Sequence, residues 1–304
     1  MLRAALLTSL CWWSFTSAEA VESTSWQAVT SEEGPARVRK AAQSIVPTTD
    51  KVMPHTYHLM YGALLLPLAA MHGDKFKMLE IGLGCSMEYG PGASARLWRS
   101  LLPTAEIWFA ESNGLCVNKA RAEGKLDGLH TMIGSQSDPE TLRRWVHQSG
   151  GGFHAIIDDG SHSNRDILLT LRILWPVLRD GGLYFIEDLH VGRSQNGPVV
   201  SDVLQGWAER LMTNTRNEST HARAKPRNHT PLPPRLKFVL IQREAAVIAK
   251  CSAEDPADVC YDVGEQPEWW GALLADLRDG KDYPKLGIQR LQQKRKQATG
   301  AAFG

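Results

Sequence analysis

Between residues 76 and 186, short continuous apolar runs alternate with stretches of helical period, and this alternation constrains the fold more than any other feature. The apolar runs occupy residues 76–81, 107–110, 129–133, 153–158 and 183–186. Helical patterns occupy residues 93–102, 115–123 and 164–178, and a further helix opens at Asp138-Pro139-Glu140, with aspartate as cap and proline in the first helical position. A strand covered on both faces reads as an unbroken apolar run, because neither side meets water. Strand and helix in turn make βαβ units, so the expected class is α/β with a mostly parallel sheet. Residues 57–71 read as a helix ahead of this series, and residues 21–54, which lack a clean period, read as an extension lying across the domain.

After Asp188 the pattern changes. Residues 199–212 suggest a helix, and residues 213–234 form a long polar stretch closing on Pro231, Pro233 and Pro234. Connections of that length inside a domain serve as lids or lack fixed structure. Residues 236–243 and 245–250 read as an antiparallel hairpin at one edge of the sheet, turning around Arg243-Glu244. The basic run Lys294-Arg295-Lys296 reads as a solvated tail.

Composition narrows the class of partner. The 304 residues carry 34 basic and 33 acidic side chains, a net charge of +1, which gives no broad electrostatic reason to bind nucleic acid or an anionic membrane. The opening residues resemble a secretory leader: Arg3, an apolar stretch over residues 4–15, and an A-x-A site at residues 18–20. That stretch is shorter than the roughly 20 residues that span a bilayer, so no stable membrane span is expected. Two sequons, at Asn217 and Asn228, add to an expected location in the secretory pathway, either secreted or in an organelle lumen. Without Cys11, four cysteines remain (Cys85, Cys116, Cys251 and Cys260) and allow three full pairings, of which Cys251 with Cys260 is the first expectation. The division expected is a leader over 1–20, an extension over 21–55, a catalytic domain over 56–250 with a lid over 190–235, and a C-terminal extension over 251–304.

In an open parallel sheet, ligands bind beyond the carboxyl ends of the strands where the strand order reverses. Glu80-Ile81-Gly82-Leu83-Gly84 ends the first strand and begins a glycine-rich turn that lets backbone approach a nucleoside. Glu111 ends the second strand, where a carboxylate can accept from ribose hydroxyls. The third glycine of G-x-G-x-x-G is missing, and Glu80 would repel a pyrophosphate; a cationic donor, S-adenosylmethionine, suits the site better. Asp158-Asp159-Gly160-Ser161-His162 ends the fourth strand and Glu187-Asp188 the fifth. Neighbouring strands would bring up to four carboxylates to one mouth, a costly arrangement without a cation, and Mg²⁺ with oxygen ligands relieves it. His162 brings an imidazole, a side-chain type whose unperturbed pKa of about 6.5 suits removing a proton at neutral pH. Taken singly, these carboxylates also read as helix caps and solvated strand ends.

The paired segments Ile156-Ile157-Asp158-Asp159-Gly160-Ser161-His162 and Gly181-Gly182-Leu183-Tyr184-Phe185-Ile186-Glu187-Asp188-Leu189 closely resemble class I methyltransferases of the macrolide-sugar O-methyltransferase type, over residues 79–189. The resemblance implies a Rossmann-like seven-stranded sheet, S-adenosylmethionine as donor and Mg²⁺ as activator. It implies Asp159, Glu187 and Asp188 as metal ligands and His162 as base. It also implies cofactor contacts at Glu80, Gly82, Gly84 and Glu111, an adenine wall at Ser135, Gln136 and Asp138, and Asp158 near the cofactor side. The end of the second strand, Ala110-Glu111-Ser112-Asn113, departs from the commoner aspartate-rich form. The partners expected are a small-molecule hydroxyl acceptor, with no nucleic acid, and a homo-oligomer is allowed. The competing readings are a nucleotide-dependent oxidoreductase and a secreted binding protein on a degenerate methyltransferase fold.

Overall fold

A computed structural model of the chain describes residues 33–195, 198–213 and 232–252. The leader, both sequons, Cys260 and the basic tail lie outside the described residues. Seven strands form one sheet: β1 (Lys77–Ile81), β2 (Glu106–Glu111), β3 (His130–Ile133), β4 (Phe153–Asp158), β5 (Leu178–Ile186), β6 (Leu236–Gln242) and β7 (Ala245–Lys250), in the order β3-β2-β1-β4-β5-β7-β6. The first five are parallel, and β7 joins β5 antiparallel, pairing Leu183 with Ala249 and Ile186 with Ala246. The expected parallel sheet and edge hairpin are both present. The order reverses between β1 and β4, which places the ligand crevice beside their carboxyl ends.

Consecutive strand residues face opposite layers. Met78, Phe109, Ile157, Phe185 and Val247 pack under one set of helices, while Leu79, Ala110, Ile156, Tyr184 and Ile248 pack under the other. The first layer holds α1 (Glu33–Gln43), α2 (His58–Met60), α3 (Leu66–His72), α4 (Ala93–Leu101) and α5 (Gly114–Ala122). The second holds α6 (Pro139–Ser149), α7 (Asn164–Leu174) and α8 (Val200–Thr213). Helices on both faces remove the central strands from water, as in β4 and β7, where every residue is buried, and such strand sequences show no polar alternation. Among the described residues no helix is long and apolar enough to cross a membrane.

Three departures from expectation have physical causes. The extension contains α1, whose buried face is only Gly34, Pro35, Val38 and Ala42, too sparse an apolar stripe to show a period. The helix over residues 57–71 widens into a π turn over Tyr61–Leu65, where the Leu66 N–H reaches back to the Tyr61 carbonyl just before Pro67, which has no N–H to give. The fifth apolar run, expected over 183–186, is preceded in the same strand by residues 178–182, with an irregularity between the Phe153–Leu178 and Ala155–Leu183 pairings and Gly181 at φ 77°.

Candidate active site

The ends of β1 and β4 are locked together by backbone. Gly82 takes φ 103°, donates its N–H to the Ala110 carbonyl at 2.8 Å, and lies so close to β4 that a Cβ there would sit 2.0 Å from the Asp159 carbonyl oxygen. Asp159 N–H returns a bond to the Ile81 carbonyl at 3.0 Å. Above this junction opens a cavity of about 500 Å³, walled by the glycine-rich turn, the ends of β2 and β3, the turn after β4, and Asp188.

Of the residues expected at the cofactor, Gly82, Gly84, Glu111, Ser135 and Gln136 line this cavity. Glu111 accepts the Leu83 N–H at 3.1 Å and the Asn113 N–H at 2.9 Å, so it ties the glycine turn to the start of α5 while facing the cavity. Gln136 spans two loops, accepting the Ser161 N–H at 2.8 Å and donating to Asp158 at 3.0 Å. The other three do not line the cavity. Asp138 caps α6, accepting the N–H groups of Glu140 and Thr141. Asp158 is buried between Gln136 and Tyr184, and burial pushes its carboxyl up to about 6. Glu80 is fully buried, hydrogen-bonded by the Trp98 indole N–H; burial raises its pKa although Lys51 opposes the shift.

Asp159, His162 and Asp188 converge at the mouth, each partly exposed, with ligand atoms within 4.8 Å of one another. His162 Nε2 lies 3.5 Å from Asp188 Oδ2, and its Nδ1 is enclosed with no hydrogen-bond partner among the described residues. Both His162 and Asp188 sit at φ 53°, a conformation non-glycine residues adopt at a cost and keep where surrounding bonds enforce it. Gln195 holds the first by donating to the His162 carbonyl at 3.1 Å, and Tyr57 holds the second by donating to Asp188 Oδ1 at 2.5 Å.

Glu187, expected as a metal ligand with these two aspartates, is placed differently. It is 2% exposed and off the cavity wall. Its oxygens accept from the Lys51 ammonium at 2.8 Å and from the Tyr61 hydroxyl. Burial pushes its carboxyl well up, with Asp159 adding to the shift and Lys51 opposing it. Lys51 also reaches Asp159 Oδ2 at 2.7 Å and Glu80 Oε1 at 3.2 Å. Burial alone would lower the lysine's pKa, but Asp159, Glu187 and Glu80 together hold it well above the ordinary value.

Lys51, Thr49, Asp50 and His55 reach the site from the segment between α1 and α2, and His190 from beyond β5. None stood out in the sequence, since a lysine in an aperiodic polar stretch carries no local signal. The one available hint was the excess of carboxylates at the sheet mouth, which demanded a cation without saying which. Cys85 on the glycine turn is bonded to Cys116 on α5, and Cys251 is also in a disulfide, whose partner lies outside the described residues.

No family model matches the chain. An L-olivosyl-oleandolide 3-O-methyltransferase of Streptomyces antibioticus is 30% identical over 162 residues, 52% of this chain and 40% of that enzyme. The mycinamicin VI 2''-O-methyltransferase of Micromonospora griseorubida is 36% identical over 118 residues, covering 38% and 28% respectively. The chain thus spans less than half the length of these curated relatives. Among solved structures, the MycE methyltransferase of mycinamycin biosynthesis, in complex with Mg and SAH, superposes with a TM-score of 0.53 at 20% identity, covering 72% of this chain and 54% of that one, which supports the fold. The relatives correct the expected secretory or lumenal location: those matched are O-methyltransferases of the bacteria Streptomyces and Micromonospora. By sequence and fold together, this chain is related to the macrolide- and sugar-tailoring class I methyltransferases.

Proposed function

We propose that the protein transfers a methyl group from S-adenosylmethionine to a hydroxyl of a small, sugar-containing molecule, with Mg²⁺ at the acceptor. The observation that carries this reading is the convergence of His162, Asp159 and Asp188 at the mouth of a glycine-walled cavity. Its volume of about 500 Å³ falls in the range of small-molecule and cofactor sites. Glu111 at its rim has a carboxylate whose spare lone pairs can accept ribose hydroxyls. Two partly exposed carboxylates beside open space fit a hard cation that keeps several waters.

When bound, the donor supplies an electrophilic methyl carbon on a sulfonium, and Mg²⁺ lowers the pKa of the acceptor hydroxyl. His162 then takes the hydroxyl proton at Nε2. Its Nδ1 is enclosed, so Nε2 is the nitrogen able to reach an acceptor. Asp188, 3.5 Å from that atom, stabilises the imidazolium that results. The Gln195 and Tyr57 hydrogen bonds fix the base and its carboxylate in their unusual backbone conformations, so little reorganisation is needed during proton transfer. The products are the methyl ether, S-adenosylhomocysteine and a proton that passes from His162 to solvent.

Calorimetric titration with S-adenosylhomocysteine, using NAD as comparison, tests the donor class. Saturable binding of the former alone is expected. His162→Gln should then keep that affinity while slowing methyl transfer to a glycosylated acceptor by about 10²–10⁴-fold, the usual contribution of a general base. A folded protein that binds NAD and ignores S-adenosylhomocysteine would sink the proposal and restore the oxidoreductase.

A further inference from the structure

The Lys51 ammonium stands where the acidic mouth would otherwise be most negative. Its hydrogen bonds go to Asp159 at 2.7 Å and to both oxygens of Glu187 at 2.8 Å, and a third carboxylate, Glu80, is ion-paired with it at 3.2 Å. Lys51, Glu80 and Glu187 are all within 2% of complete burial, which makes this an enclosed inner chamber below the open cavity. Tyr61 closes it further by donating to Glu187. Asp159 belongs to both levels, giving one oxygen to Lys51 while remaining about a quarter exposed on the cavity wall. Asp188 lines the cavity, with Oδ1 taken by the Tyr57 hydroxyl, and its charged neighbours are His55, His162 and His190.

From this geometry we infer that Lys51 is a tethered cation that withdraws Glu187 and Glu80 from metal ligation and confines a divalent cation to Asp159 and Asp188. The inference rests on the cation-assisted reading above and changes which side chains hold the ion. A metal touching a Glu187 oxygen would lie next to an ammonium already 2.8 Å from both of them, and the two positive charges would repel. Two carboxylates suffice for Mg²⁺, which keeps most of its waters in such sites. His162 stays free to move a proton, because a hard cation prefers oxygen to imidazole nitrogen. Lys51 is thus a positioning residue, and the N-terminal segment that carries it is part of the site.

The test is titration of the full chain with Mn²⁺, following free ion by electron paramagnetic resonance, with folding checked by circular dichroism and S-adenosylhomocysteine binding. Asp188→Asn is expected to weaken Mn²⁺ binding by about tenfold or more and Glu187→Gln by no more than about twofold, since affinity follows the number of ligating charges. Lys51→Met should tighten binding by about tenfold, because Glu187 and the second Asp159 oxygen become available, and adding Glu187→Gln should reverse that gain. A purely structural lysine would not produce tighter binding on removal. Lys51→Arg keeps the charge and should bind Mn²⁺ like the wild type; with Glu187→Gln it decides the matter if Lys51→Met does not fold. Weakening by Glu187→Gln equal to that of Asp188→Asn, or unchanged or weaker binding in folded Lys51→Met, overturns the inference. Wild type that binds no Mn²⁺ while Lys51→Met binds it would sustain Lys51 as the resident cation and remove the metal from the proposed function. No binding in either would overturn both.

Discussion

His154 on β4 is a buried imidazole whose Nδ1 accepts the Lys77 N–H at 3.0 Å, with His72 and Phe76 against its ring. Burial, aided by the charges of His72 and Arg179, lowers its pKa to about 4. In the unfolded chain it would titrate near 6.5. Above that pH both states are neutral and the full contribution to stability is present; as pH falls from 6.5 towards 4 the unfolded state takes up a proton that the folded state refuses. Stability should therefore drop by up to about 1.4 kcal/mol per pH unit through this window. Urea midpoints measured from pH 7 to 4 should fall more steeply for wild type than for His154→Gln, and parallel curves would refute the assignment. At this scale the sequence was half informative. Gly82, Glu111, Asp159, His162 and Asp188 lie at the cavity, because each ends or follows a strand whose position the apolar pattern discloses. Glu80 and Glu187 belong to the same strand ends, but their side chains turn to Lys51, a contact made across 136 residues in the case of Glu187, and no local pattern encodes it.

Among the elements, α1 decides how the N-terminal segment sits. It packs on the π turn through Gly62, where a Cβ would come 2.1 Å from the Pro35 nitrogen and 2.3 Å from the Gly34 carbonyl carbon. Backbone cannot yield as a flexible side chain does, so Gly62→Ala should lift α1 and cost about 1–3 kcal/mol in chemical denaturation, the usual range for overpacking. Because residues 49–51 follow α1, S-adenosylhomocysteine binding by calorimetry should weaken in the same variant; an unchanged melt and unchanged affinity would show that the contact is not a constraint. The strands β1 to β4 were legible to within a residue or two, as in β4, whose every residue is buried, while β5 begins at Leu178, ahead of its apolar run. The helix α1 was not legible, since it buries so little, and the widened turn over Tyr61–Leu65 was not, although Pro67, which has no N–H, follows it directly.

At the scale of the molecule, the Cys85–Cys116 bond joins the glycine-rich turn to α5 and so ties together two walls of the cavity, over a sequence separation of 31. Replacing both cysteines with serine frees that loop in the unfolded chain and should lower stability by about 3–4 kcal/mol on the chain-entropy account, read from the denaturant midpoint. An equal midpoint in the double variant would show that the connection adds nothing beyond the packing around it. The parallel sheet, the edge hairpin and the crevice between β1 and β4 all followed from apolar periodicity, because burial on two faces is a property of the whole molecule written into its central strands. The Lys51 contacts set a different condition. The lysine leaves the ribosome before Asp159 and Glu187, which follow it by 108 and 136 residues, so it must wait in solvent until β4 and β5 exist to receive it. The inner chamber can close only after the sheet has assembled, and a nascent chain released before β5 would hold an unmatched ammonium and an incomplete mouth, so that cation binding matures as one of the last steps of folding rather than as a local property of any loop.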